Sequence, residues 1–539
     1  MGAPEARLAE LIEPSLGDAN LPGVAIGVTD AARPIFCGTF GSASLESGRA
    51  VDTATLFEIG SISKSFTSTL VLRQVERGVI DLDRPVQIEL PWLAVGPHTA
   101  AITPRLLLAH RAGLIQGAES TPEAVSEVLA LTRGPAACPP GAFHYSNVGY
   151  KLLGVLLEAV GGRPYPDLLR EDVLGPLGMT ATVSAITNDV RQRMAVGHDA
   201  FLDDRPLPPG GRLGPATWLE TATADGSIAA TALDMTAFVR MLLDGGGGPG
   251  GRLLAPPSFA EMTRPWSAPG APAAEGYALG LVVGQGPRGT VLHHGGGMVG
   301  FRSELIADLG RRLGVVVLAN GPGDPSWIAR AALTLFAGEG DGSDPASASA
   351  PDPWTVGDGA AYVGRYADGT RRFEIGDAGH GRLGLRCGGV AARISRAGTG
   401  ALLAAHPRLD RFLLEEERID GRVVGFHHGG DWYGRQGEPR PAATAGVDGL
   451  LAFVGHYRSY NPWFAHLRVV ARAGELVAIA PGGTEAFEGS LRLVPVGPTR
   501  FRLGSDPTTP EVIGFDDMVE GRFMRAHLSG GDFHRTASP

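Results

Sequence analysis

Phe57-Glu58-Ile59-Gly60-Ser61-Ile62-Ser63-Lys64-Ser65-Phe66-Thr67 is the stretch from which the rest of the chain can be read. A turn at Gly60 gives way to a helical pattern, with Ile62, Phe66 and Leu70 four apart on one apolar face. The pattern predicts a helix running to Arg77, where Gly78 offers a stop. Residues three apart on a helix are neighbours, so Ser61 and Lys64 project from the same side of the first turn. Unpaired backbone N–H groups and the positive end of the helix dipole favour developing negative charge at Ser61. A serine oxygen beside an amine in that field has the makings of an activated nucleophile.

Composition sharpens the point. Of 47 Lys+Arg residues only Lys64 and Lys151 are lysine. Arginine does not lose its proton in a protein, whereas a buried lysine can. A chain so biased to arginine nonetheless places a lysine three residues after a serine at a helix start. Lys151, inside a later helix, reads as a solvated surface lysine.

At 539 residues the chain exceeds one ordinary domain, and about 100–200 residues per domain suggests three or so. With 43% hydrophobic and 19% charged residues it has material for large cores. The net charge is −10 and the basic residues are scattered, which argues against a nucleic acid or an anionic membrane as partner. Cys37, Cys138 and Cys387 are far apart and fit no metal spacing, so free thiols in a reducing compartment are expected. The start, Met1 to Ile12, reads as a short amphipathic helix without an export pattern, and no apolar run approaches the roughly 18 residues needed to span a bilayer. The expected location is the cytoplasm.

In chain order, Pro22–Thr29 reads as a buried strand paired with Pro34–Gly38. In Ile102–Leu114, Thr103 suits an N-cap, Pro104 the first helical position and Gly113 the stop. His110 there is a catalytic candidate, with a helix-terminal histidine bonding local backbone the favoured reading. Gly141–Gly154 passes from a Pro/Gly-rich approach into an apolar helix, with Tyr145 and Asn147 at the entry. Helices follow at Pro166–Val173 and Ala232–Leu243, and Asp244–Gly251 is a glycine loop without the lysine of a phosphate cradle. In Thr290–Ser303 a strand reaches a glycine run, His294-Gly295-Gly296-Gly297, where backbone can approach a ligand closely. Strands Ser303–Asp308 and Leu313–Asn320 form a hairpin, and a helix at Pro325–Phe336 closes an α+β catalytic domain, 1–338.

Residues 339–353 form a linker by composition. Beyond it lies a repeat: Tyr362-Val363-Gly364-Arg365-Tyr366 recurs as Phe453-Val454-Gly455-His456-Tyr457, and Gly430-Asp431-Trp432 as Gly531-Asp532-Phe533. Two small antiparallel barrels or sandwiches, 354–436 and 447–539, joined by a linker at 437–446, account for it. His427, His428, His466 and His527 have no cysteine or carboxylate at ligand spacing, so no metal site and no cofactor is expected.

The three ordered motifs, Ser61-x-x-Lys64, Tyr145-x-Asn147 and His294-x-Gly296, resemble those of the penicillin-recognising serine hydrolases: class C β-lactamases, D-Ala-D-Ala carboxypeptidases, and related esterases and D-aminopeptidases. Phe57–Gly60, Pro176–Met179 and Ala224–Ile228 fit as flanks, and the resemblance spans about residues 5–337. It implies that Ser61 becomes acylated, that Lys64 and Tyr145 share the general base and acid roles, and that Asn147 orients Lys64 and the substrate amide. It implies an oxyanion hole from the backbone N–H groups of Ser61 and Gly297, with Gly295 and Gly296 against the substrate. His294 stands where class C lactamases carry lysine, offering a charge titratable near neutral pH in place of a permanent cation.

A catalytic domain followed by two lipocalin-like barrels is similar to the three-domain D-aminopeptidases. The expected partner is a small-molecule or short-peptide acyl substrate; the oligomeric state is open, with a homodimer one option. The alternatives are a penicillin-binding-protein-type thioesterase or peptide cyclase, a β-lactamase or D-Ala-D-Ala carboxypeptidase, and an acyl-binding protein without turnover.

Overall fold

The computed structural model describes residues 3–117, 123–131, 138–248, 250–266, 276–338, 348–438, 448–481 and 489–537. Most of the two expected linkers, 339–347 and 439–446, lies outside the described residues. The chain divides into two compact units, one of Met1–Asp199 with Leu213–Pro351 and one of Ala200–Arg212 with Asp352–Pro539. The excursion Ala200–Arg212, which leaves the first unit and joins the second, carries no mark in the sequence.

The first unit is built on eight strands. In chain order they are β1 (Gly23–Asp30), β2 (Pro34–Ser44), β3 (Arg49–Ala50), β4 (Gly276–Tyr277), β5 (Val282–Gly286), β6 (Gly289–Met298), β7 (Phe301–Asp308) and β8 (Leu313–Ala319). They lie in the order β4-β5-β6-β7-β8-β1-β2-β3, antiparallel between the neighbours from β4 through to β3. The central strands β1 and β8 are buried on both faces, so they read as unbroken apolar runs and not as alternation.

Helices α1 (Pro4–Ile12) and α7 (Ser326–Ala337) cover one face, where Leu8, Ile12, Trp327 and Ile328 pack on Val24, Ile26, Val315 and Val317. Helix α6 (Ala232–Leu243) packs on β1 and β8, capped by Thr231, whose hydroxyl accepts from Asp234 N–H at 3.1 Å.

The helix after Gly60 begins as a tight 3₁₀ turn, Gly60–Ile62, and continues as α2 (Ser63–Glu76). The sequence pattern marks one apolar face, yet α2 is buried nearly all round, Ser63, Lys64, Ser65, Thr67, Ser68 and Thr69 included. Its hydroxyls find partners: Ser65 donates to Gly280 O (2.7 Å), Thr67 to Ala224 O (2.6 Å) and Thr69 to Ser65 O (2.9 Å). Short hydroxyl side chains satisfied in this way let a polar-looking helix run through a core.

Helix α3 (Pro104–Leu108) starts as expected, Thr103 accepting from Leu106 N–H, but stops well before Gly113. His110 takes a left-handed conformation (φ 55°) and turns the chain away. Helices α4 (Ala124–Leu131) and α5 (Asn147–Gly161) pack together, and α5 ends at Gly162 in the left-handed region.

The second unit contains two closed eight-stranded antiparallel barrels, spanning Gly364–Arg435 and Gly455–Arg535. The repeat is a closure device. Tyr366 donates to Tyr362 O (2.7 Å) and Tyr457 to Phe453 O (2.8 Å), and the last strand returns Arg435 to Val363 O (2.6 Å) and Arg535 to Val454 O. Both barrel interiors are filled by side chains, among them Tyr366, Phe373 and Phe426 in one and Phe453, Phe501 and Phe515 in the other.

Candidate active site

Ser61 sits in the 3₁₀ turn, 5% exposed, at the threshold of α2. Lys64, one turn on and fully buried, donates from Nζ to Ser61 Oγ at 3.0 Å and to Asp225 O at 2.9 Å. Its Nζ lies 5.0 Å from the Tyr145 ring centroid and 5.6 Å from that of Tyr150. The sequence put Ser61 and Lys64 together; the fold adds Tyr145 from the start of α5. A buried amine beside a hydroxyl can take the serine proton once neutral, and the rings favour the cation that results. Three residues upstream of Ser61, Glu58 is buried without a compensating charge, which pushes its carboxyl up to about 8 and leaves it uncharged at neutral pH.

Two glycines let the sheet reach this turn. Gly60 has φ 52°, and a Cβ on it would fall 2.6 Å from both N and O of Gly297 on β6. A Cβ on Gly296 would lie 2.0 Å from Ile59 O and 2.2 Å from Ser303 Oγ, which donates to Ile59 O at 2.8 Å. Gly296 is therefore glycine for a reason that involves no ligand: its strand presses on the carbonyl two residues before Ser61. The same contact brings the Gly297 backbone to the Ser61 turn.

His294 departs from expectation. Its Nδ1 lies 2.6 Å from Gly295 O, and a carbonyl only accepts, so Nδ1 carries the proton. Nε2 is then an acceptor, and Tyr277 on β4 donates its hydroxyl to it at 3.0 Å. Burial first, and the Lys64 charge after it, hold His294 down at about 3 despite the Gly295 carbonyl. The ring is neutral at physiological pH, a correction to the titratable charge expected there. Tyr277 itself gave no signal in the sequence, being one tyrosine beside an irregular stretch.

Two further readings change. Lys151 is not a solvated surface lysine: it is 2% exposed and ion-paired with Glu127 of α4. An apolar helix does not disclose that the neighbouring helix brings a carboxylate to it. His110 does bond backbone, though not locally: its Nδ1 accepts from Ser146 N–H at 3.0 Å, 36 residues away. Asn147, 4% exposed, opens α5 two residues after Tyr145.

The Beta-lactamase family matches residues 8–339, and the chain belongs to that family. It is a serine hydrolase of the penicillin-recognising kind, with amide and peptide hydrolases among its relatives. A D-aminopeptidase of Cereibacter sphaeroides is 27% identical over 516 residues, covering 88% of this chain and 87% of that one. Penicillin-binding protein 4 of Amycolatopsis lactamdurans is 32% identical over 226 residues, 40% of this chain and 58% of its own length. Among solved structures, the octameric penicillin-binding protein homologue from Pyrococcus abyssi superposes with a TM-score of 0.59 at 23% identity, over 80% of this chain and 99% of that one. At that identity the likeness speaks for the fold.

Proposed function

We propose that Ser61 attacks the carbonyl of a small amide or peptide and is acylated, and that water then releases the acyl group. Lys64 and Tyr145 pass the serine proton to the leaving amine, Asn147 orients the amide, and the oxyanion lies between the N–H groups of Ser61 and Gly297. One observation carries the reading: a fully buried Lys64 Nζ at 3.0 Å from Ser61 Oγ.

For substrate class we propose a D-aminopeptidase. The similarity to the Cereibacter sphaeroides D-aminopeptidase covers 88% of the chain and so extends well beyond the catalytic domain. A neutral His294 also supports it, because a β-lactam or peptide C-terminus carries a carboxylate and this position supplies no cation to meet it. A cytoplasmic location belongs to the same proposal and is supported by Cys37 and Cys387, which are not paired in a disulfide.

The test is release of nitroaniline from D-alanine and L-alanine p-nitroanilides. Turnover of the D-isomer alone, lost in Ser61→Ala, is the expected result. Equal turnover of both isomers would remove the stereochemical claim, and turnover surviving Ser61→Ala would remove the mechanism.

A further inference from the structure

We propose that His110 is a positioning residue for the Tyr145–Asn147 pair, acting through the residue between them. This rests on the reading of Tyr145 as the acid–base partner of Lys64. Ser146 is the N-cap of α5, and both its N–H and its hydroxyl are committed. Its N–H donates to His110 Nδ1 at 3.0 Å, its hydroxyl donates to Ile115 O at 2.7 Å, and the same hydroxyl accepts from Gly149 N–H at 3.0 Å. Tyr145 precedes this anchored residue and Asn147 follows it, so the direction of Ser146 N–H fixes how both side chains leave the backbone.

The His110 ring also touches Tyr145 directly. Their centroids are 4.2 Å apart, with Tyr277 at 4.7 Å and Tyr150 at 5.1 Å on the same imidazole. His110 is 1% exposed. Because Nδ1 must accept, the proton of the neutral ring sits on Nε2, which is buried and has no hydrogen-bond partner among the described residues. An imidazolium would turn Nδ1 into a donor facing the Ser146 N–H. Burial, and then the charge of Lys64, keep the ring neutral.

The backbone shows that side chain and turn act together. His110 is left-handed at φ 55°, and its carbonyl accepts from His144 N–H at 2.8 Å. Next to it Arg111 O accepts from Gly141 N–H at 2.9 Å, and Gln116 O from Val148 N–H at 3.0 Å. The segment 110–116 thus grips 141–148 at several points, and His110 adds a side-chain acceptor to that grip. The energetic logic is preorganisation: a displacement of about 1 Å in a catalytic group can cost 10²-fold in rate.

Asparagine separates acceptor from ring. Its Oδ1 falls where His Nδ1 does, and it tolerates the left-handed backbone. Glutamine carries its oxygen one bond too far, and leucine has none. With p-nitrophenyl acetate as a general acyl donor, His110→Asn should keep kcat within about threefold of wild type. His110→Gln and His110→Leu should lose about 100-fold in kcat with KM little changed. Thermal unfolding of each variant checks that the fold is intact, and the Asn variant serves even where the Leu variant does not fold. Tyr145→Phe is run alongside. If Tyr145→Phe is inactive while Asn, Gln and Leu at 110 behave alike, the positioning role is overturned and the mechanism stands. If Tyr145→Phe is as active as wild type, the mechanism and this inference fall together.

Discussion

At the scale of single residues, protonation states decide what the site can do. His294, neutral in its Nδ1–H form and accepting from Tyr277, has both ring nitrogens engaged within the protein. Its depressed pKa fixes a sign. Between about 3 and the usual histidine value of about 6.5 the unfolded chain binds a proton that the folded chain does not, so stability rises with pH across that window. Thermal unfolding between pH 4 and 7 should show the midpoint climbing, and His294→Gln should flatten the climb; an equal slope in both would contradict the assignment. The activity profile should carry no His294 ionisation between pH 5 and 8. Ser61 and Lys64 were legible because three residues on a helix is a local relation. Tyr277 and the true partner of His110 were not, since each meets its partner only through contacts that sequence spacing does not encode.

At the scale of elements, the α4–α5 contact is held by a buried ion pair, Lys151 with Glu127, whose side chains are 2% and 10% exposed. Removing one member takes this ion pair away from a buried charge, at about 3–5 kcal/mol. Urea unfolding of Lys151→Met should show a loss of that order, and Lys151→Met with Glu127→Leu should recover most of it. A single variant as stable as wild type would mean that the pair is not buried in solution. Strands β1 and β8 could be read from unbroken apolar runs bounded by Gly and Pro. Helix α2 could be placed but its surroundings could not, because its serines and threonines look solvated until Gly280 O accepts from Ser65 and Ala224 O from Thr67. Lys151 misled for the same reason: a periodicity shows which face is apolar and is silent about a charge brought from another helix.

At the scale of the whole molecule, the two barrels of the second unit are joined through Arg472. Its guanidinium pairs with Glu415 of the preceding barrel at 2.8 and 3.1 Å and donates to Gly429 O at 2.6 Å. The excursion Ala200–Arg212 adds Arg205 to Asp410 of the first barrel at 3.0 Å and Asp204 to Arg468 of the second at 3.5 Å. Calorimetry should find the barrels unfolding together in wild type and in two resolved steps in Arg472→Ala; one unchanged step would show that the pair does not couple them. One of the histidines read from sequence as having no carboxylate at ligand spacing does meet carboxylates in space: His527 bonds Asp516 (2.7 Å) and Asp532 (2.5 Å) across strands. The repeat was legible as two barrels because Tyr366 and Tyr457 close each in the same way, whereas the excursion that bridges them left no pattern. The central claim is that Ser61 carries the acyl group, and the most direct measurement is intact mass after brief reaction with p-nitrophenyl acetate at low pH, with peptide mapping. A single acetyl adduct on the peptide holding Ser61, absent in Ser61→Ala, is the result predicted. An adduct elsewhere, or one that persists in Ser61→Ala, would contradict it.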